Sequence, residues 1–236
     1  MVQISLPFER SREVLGVLDS ISFRSNNKFM QHLSKLFKLL ELTRSMPQYG
    51  YALGGIKKEE LSDLAQHQYL VTFIAWQLAR NIKKQGFEIN IERVMELALI
   101  HDLGELFGSD INYFYGRLNK KAKKAARQFE NENIKFLSHF FGSDKNYFQG
   151  LAKELFAGKS LETVVAKISD YIEALLFKKY VGALSKKYDE NDSAFKQVSY
   201  YTKNIKDTKL KKIILDFLKH WTEDLPKGEA LDWMEK

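Results

Sequence analysis

The stretch Ile91-Glu92-Arg93-Val94-Met95-Glu96-Leu97-Ala98-Leu99-Ile100-His101-Asp102-Leu103-Gly104-Glu105 decides the fold class. Its inward positions run Ile91, Val94, Ala98, His101, Asp102 and Glu105, the spacing of one helical face. The pattern predicts a helix from Ile91 to Phe107, stopped by Gly108. Along that face the residues change from Val and Ala to His, Asp and Glu. If the face stays buried, the polar trio carries a desolvation cost unless something pairs with it. A divalent cation would do so. Otherwise the stripe surfaces at the helix C-terminus and the trio is solvated.

The same period recurs along the chain, and the predicted fold class is all-α. Asn27 to Leu42 has apolar residues at Phe29, Leu33, Leu36, Phe37 and Leu40. Pro47 to Gly55 reads as a loop, because Gly and Pro break both element types. Glu59 to Lys84 reads as a helix with Leu64, Val71, Ile74, Ala75 and Leu78 inward. Ala122 to Phe141 reads as a long charged helix. Leu161 to Tyr180 is apolar over a wide face (Val164, Val165, Ile168, Ile172, Leu175 and Leu176) and is expected to be central. Leu210 to Trp221 reads as a closing helix. Strand alternation appears only in scraps, at Phe87 to Ile91 and Val2 to Leu6.

Two further polar residues interrupt apolar faces. His67 lies in line with Leu64, Val71, Ile74 and Leu78. Asp170 lies beside the main stripe of the central helix, in the row Ala166, Asp170, Ala174 and Phe177. Taken singly, His67 reads as a hydrogen-bonded core residue, and Asp170 as a cap or a partner of Lys167. Taken together, His67, His101, Asp102 and Asp170 offer two imidazoles and two carboxylates from three helices. That set suits Mn, Co, Fe, Ni, Zn or Mg, without distinguishing among them.

Composition agrees with this. The 236 residues include no Cys, which excludes disulfides, Cys-ligated zinc, iron–sulfur clusters and thiol catalysis. Any metal must then be held by His, Asp and Glu. With 44% hydrophobic and 28% charged residues the chain is expected to be soluble and cytoplasmic, with no membrane partner. The N-terminus lacks a basic start followed by an apolar run, so a secretory signal is not expected. The net charge is +7. It suits an anionic substrate, but much of it falls on Lys-rich helix faces expected to lie away from the site, such as Lys120 to Lys124.

The order His, then His-Asp, then Asp on a helical chain resembles the HD-domain metal-dependent phosphohydrolases. His101-Asp102-Leu103-Gly104-Glu105 followed by Ser109-Asp110-Ile111 is similar to the 5′-deoxynucleotidase branch, whose pattern is His-Asp-x-x-Glu, a short gap, then Gly-Asp-Ile. Ala166-Lys167-Ile168-Ser169-Asp170-Tyr171-Ile172-Glu173 resembles its Val-Lys-x-x-Asp-x-x-Glu. Leu42-Thr43-Arg44-Ser45-Met46-Pro47-Gln48-Tyr49-Gly50-Tyr51 resembles its Arg-x-Pro-Arg-x-Gly-Trp loop. Departures are Gln66 where an acidic residue usually precedes the first His, Ser109 in place of Gly, and Gln48 in place of the loop Arg.

The resemblance implies one HD domain over residues 1–236, with a family-like core at about 27–180 and C-terminal helices 181–236 packed on it. It implies a metal-dependent 5′-nucleotidase acting on (deoxy)nucleoside 5′-monophosphates, and a homodimer. His67, His101, Asp102 and Asp170 would hold the metal. Glu105 would act as general acid or base, and Asp110 would orient water or the sugar. Arg44 and Lys167 are the candidates for binding the phosphate. Tyr49, Tyr51, Tyr113, Phe114 and Tyr115 flank the motifs and either stack on a base or pack locally. The rival readings are an HD-type phosphodiesterase or triphosphohydrolase, and a noncatalytic nucleic-acid-binding module using Lys120 to Arg127. The first lacks additional His ligands, since His32, His139 and His220 lie in no such motif. Against the second, Glu130 and Glu132 interrupt the basic run and no RNA-binding motif is present, so a nucleic-acid partner is not expected.

Overall fold

A computed structural model describes residues 27–108, 113–183 and 193–223. Helices α1 (Asn27–Leu40), α2 (Leu64–Lys84), α3 (Ile91–Ile100), α4 (Tyr113–Leu118), α5 (Lys120–Ser138), α6 (Lys145–Ala157), α7 (Leu161–Tyr180), α8 (Ser193–Thr202) and α9 (Thr208–Glu223) follow in chain order. Short 3₁₀ turns link several of them. Among the described residues there is no strand, only an isolated bridge between Pro47 and Asp63. The all-α expectation holds. Of the two strand scraps, Phe87 to Asn90 is irregular, and Val2 to Leu6 lies outside the described residues.

α2, α3 and α7 pack on one another and form the centre. Val71, Ala75 and Ile82 of α2 meet Val94, Leu97 and Ala98 of α3 and Val165, Ile168 and Ile172 of α7 in one apolar cluster. The cluster continues through Phe148 of α6 to Val198 of α8 and Ile214 of α9. α7 has the bounds read from its periodicity. Its start is fixed by Ser160, whose hydroxyl accepts from the Thr163 N–H at 3.2 Å.

Several helix boundaries differ from expectation, and two of them shape the site. α2 begins at Leu64 rather than Glu59. Asp63 is extended and its carboxylate accepts from the Gln66 N–H at 2.7 Å, which caps the helix. The Pro47–Asp63 bridge adds Gln48 N–H to Ser62 O and Leu64 N–H to Met46 O, both at 2.9 Å. It ties the Gln48 loop to the start of α2, one turn before His67.

α3 ends at Ile100, well short of Phe107. The His101 Nδ1 donates to the Ala98 carbonyl at 2.7 Å, occupying an acceptor that a continuing helix would use. Asp102 then leaves helical geometry (φ −113°, ψ 9°), and Leu103–Glu105 forms a 3₁₀ turn. Asn133 of α5 donates to the Gly104 carbonyl at 2.6 Å. A side chain at position 104 would sit 3.2 Å from the Glu130 Cβ, so glycine lets this turn lie against α5. The apolar stripe runs through Leu103 and Leu106 as if the helix continued. Phe37, expected inward on α1, is exposed.

Candidate metal centre

The break after Ile100 turns His101 and Asp102 toward α2 and α7. The Nε2 atoms of His67 and His101 lie 3.2 Å apart. Asp102 Oδ2 lies 3.3 Å from His67 Nε2 and 3.1 Å from His101 Nε2. Asp170 Oδ1 lies 3.4 Å from His67 Nε2 and 3.8 Å from His101 Nε2. All four side chains therefore meet at one point. His67, His101 and Asp102 form the tightest group, and Asp170 closes it from α7.

Hydrogen bonds on the outer side set the chemistry of this cluster. His67 Nδ1 donates to Glu173 Oε2 at 2.5 Å, and His101 Nδ1 donates to the Ala98 carbonyl. With Nδ1 carrying the proton, both Nε2 atoms present lone pairs. With both rings neutral, two lone pairs and two carboxylate oxygens face one another in a nearly buried pocket. Such a set repels itself unless a cation sits among it, either a proton on His67 or a metal ion. Oxygen and nitrogen ligands held about 2.1 Å from one ion stand about 3.0–3.4 Å from each other. Four of the five separations fall in that range, so the residues fit a divalent metal.

Titration behaviour reflects the same crowding. Burial pushes the His67 pKa down, but Asp102, Asp170 and Glu173 outweigh it and raise it well above the usual imidazole value. Burial pushes Asp102 up, and the neighbouring His101 and His67 outweigh it and draw it well below the carboxylate range. Asp170 is lowered in the same manner, mainly by His67 and His101.

Outer residues hold the cluster in place. Gln48 Nε2 donates to Asp102 Oδ2 at 3.4 Å. Glu173, one turn beyond Asp170 on α7, is 2% exposed. The Tyr51 hydroxyl donates to it at 3.5 Å, and the Tyr51 ring packs 4.7 Å from Phe177. Burial, then the carboxylates Glu173, Asp170 and Asp102, hold the Tyr51 phenol well above its usual pKa, so it stays a donor. Tyr51 therefore joins the support of the cluster, while Tyr49 is exposed.

The cluster opens into a cavity of about 900 Å³. Glu105 and Lys167 line it, as expected. The Lys167 pKa is pulled down by burial and raised overall by Asp170 and Asp102, so it stays a cation. Arg44 does not reach the cavity: its guanidinium is exposed and pairs with Glu41 at 3.3 Å. Asp110 lies outside the described residues, as do Ser109 and Ile111.

Several functional residues escaped the sequence reading. Glu173 stood in the motif, but nothing local showed that it bonds His67. Glu130 of α5 read as part of a solvated face; it lines the cavity, and burial followed by the Asp102 charge raises its pKa. The Lys-rich face was expected away from the site, yet Lys123 and Arg127 line the cavity too. Both remain exposed; Glu130, half-buried on the same face, lies against the Gly104 turn, and the Asn133 bond to that turn sets how α5 meets the cavity.

The model of the family described as HD domain matches residues 44–214. The chain belongs to the HD-domain family. Over 82 residues it is 30% identical to the 5′-deoxynucleotidase HDDC2 of Danio rerio, a match covering 35% of this chain and 37% of that protein. The match thus spans little more than a third of the relative's length. The fold is similar to an HD-domain phosphohydrolase of Listeria innocua, with TM-score 0.59 and 23% identity over 81% of this chain and 88% of that one. It is also similar to a predicted metal-dependent phosphohydrolase of Magnetospirillum magnetotacticum, with TM-score 0.58 and 15% identity over 82% and 93%. Within this HD domain, no described helix is long and apolar enough to cross a membrane.

Proposed function

We propose that this HD domain is a metal-dependent phosphohydrolase that removes phosphate from (deoxy)nucleoside 5′-monophosphates. The observation that carries the reading is the convergence of two imidazole lone pairs and two carboxylates at the floor of an open cavity. His67, His101, Asp102 and Asp170 would hold the ion. When bound, a divalent ion supplies a more acidic water and a counter-charge for a phosphoryl oxygen.

The remaining roles belong to the protein's own groups. Glu105 stands one turn past His101, on the cavity wall, and serves as the proton carrier at the scissile bond. Lys167, kept cationic by the surrounding carboxylates, binds the phosphate. Glu173 holds His67 through Nδ1 and leaves its Nε2 turned to the ion, and Gln48 donates to the same Asp102 Oδ2 that faces the two imidazoles. The nucleotide substrate is supported by the likeness to the zebrafish 5′-deoxynucleotidase, and by the match of the loop and of both Asp motifs to that branch.

The test is phosphate release from a panel of nucleoside and deoxynucleoside monophosphates by chelator-stripped protein, with Mn, Co, Ni, Zn or Mg added back. Release is expected from 5′-monophosphates with at least one ion, and Asp102→Ala should reduce it at least about a hundredfold. No release under any metal would overturn the reading. With nucleoside triphosphates as a second panel, release of pyrophosphate or triphosphate and none of phosphate from the monophosphates would point to the triphosphohydrolase chemistry instead.

A further inference from the structure

The cavity extends well past the cluster, and its charge is divided. The carboxylates Asp102, Glu105, Glu130 and Asp170 stand at the cluster end. On α5, Lys123, Arg127 and Glu130 follow at intervals of four and three residues, the spacing of one helical face, and all three line the cavity. Glu130 is fixed at the cluster end by its contact with Gly104. At 1.5 Å per residue, Arg127 lies about 4.5 Å and Lys123 about 10 Å further along the helix axis.

Arg127 is held rather than loose. Its Nη2 donates to the Phe156 carbonyl at 3.1 Å, and the guanidinium lies 5.3 Å from the centre of the Phe156 ring. A guanidinium carries five N–H donors, and that carbonyl takes one. A phosphate at the cluster has Lys167 beside it. Lys123 stands about two helical turns from Glu130, so an anion bound there would lie apart from one at the cluster.

We propose that Lys123 and Arg127 form a second anion subsite in the cavity, and that the preferred substrate is a nucleotide carrying a second phosphate on its sugar. This rests on the proposed phosphohydrolase reading: the 5′-phosphate sits at the cluster and the second phosphate reaches α5. Lys123 and Arg127 are exposed to solvent where they line the cavity, within reach of an anion that enters it.

The test is calorimetric binding to the chelator-stripped full chain, using a deoxynucleoside 3′,5′-bisphosphate and the matching 5′-monophosphate. The bisphosphate should bind at least about tenfold more tightly at low salt. That gain should vanish in Lys123→Ala/Arg127→Ala. Arg127 also packs on Phe156, so Lys123→Glu alone is the second variant: it leaves that packing in place and should also remove most of the gain. With metal restored, the ratio of kcat/KM for bisphosphate over monophosphate should follow the same order. Equal binding of the two nucleotides, or a gain that survives both variants, overturns the subsite. The two readings fail separately. If monophosphates release phosphate but bisphosphates show no gain, the subsite falls alone. If nothing is hydrolysed, the phosphohydrolase reading falls, and the binding comparison still reports on the subsite.

Discussion

Arg93 and His67 both carry polar atoms between packed helices, yet their surroundings differ in kind. Around Arg93 four of the five guanidinium donors meet an acceptor, the Tyr147 hydroxyl among them at 3.2 Å. Its Nε and Nη2 reach Glu154 at 2.9 and 2.6 Å, and its Nη1 reaches Glu96 at 3.4 Å. Tyr147 and Ser160 donate to the same two carboxylates, each at 2.6 Å. This network joins α3, α6 and α7, and it is complete without any ligand. Around His67 the inner atoms are all acceptors once the outer bonds are made. Both clusters are networks of charged groups, but only the second is completed by a cation that comes from outside, a proton on His67 or a metal ion. The balance of donors and acceptors, not burial or charge alone, separates a structural network from a candidate site.

That contrast can be broken or sharpened by experiment. The largest effect concerns the ion itself. A ligand present at a hundred times its Kd adds about 2.7 kcal/mol. For a chain of this length that corresponds to a rise in Tm of about 5–10 °C on adding metal to stripped protein, read by calorimetric scanning. Next is Glu173→Gln. Losing the carboxylate behind His67 should weaken metal affinity about 10–100-fold, measured by competition with a chelating dye.

The Arg93 network should respond in the opposite way. Arg93→Ala should lower stability by about 1–3 kcal/mol in urea unfolding and leave metal affinity within about twofold. A large loss of metal affinity in this variant would erase the distinction between the two clusters. The smallest expected effect is on pH dependence. Burial raises the Glu154 pKa, but Ser160 and Arg93 outweigh it and hold the carboxyl below its ordinary range. Its stabilisation is therefore present above the unfolded pKa, about 4.3, and is lost as pH falls through the lower folded value. The gap in Tm between parent and Arg93→Ala should narrow below about pH 4, by an amount worth less than about 1 kcal/mol.

The contrast also explains what could be read from the sequence. His67, His101, Asp102 and Asp170 stood out because each interrupts an apolar helical stripe, a signal that survives without coordinates. The bounds of α7 were legible because its stripe is continuous and Ser160 caps it. The end of α3 was not, since Leu103 and Leu106 keep the helical period while Asn133 and Glu130, distant in sequence, hold the Gly104 turn. Glu173 lay in a recognised motif, yet its role depends on where α2 places His67. Lys123 and Arg127 are solvated, as a Lys-rich run suggests, but nothing in that run records that its helix stands beside the cavity. Arg44 illustrates the converse: a loop motif placed it near the site, while its own neighbour Glu41 holds it in solvent.

The acceptors of His67, His101, Asp102 and Asp170 are those that would hold a divalent ion. Isothermal titration of Mn or Co into chelator-stripped protein tests this assignment most directly. One ion per chain is expected, with binding abolished in Asp102→Ala and retained in Arg93→Ala. An absence of binding, or binding that Asp102→Ala leaves unchanged, would contradict it.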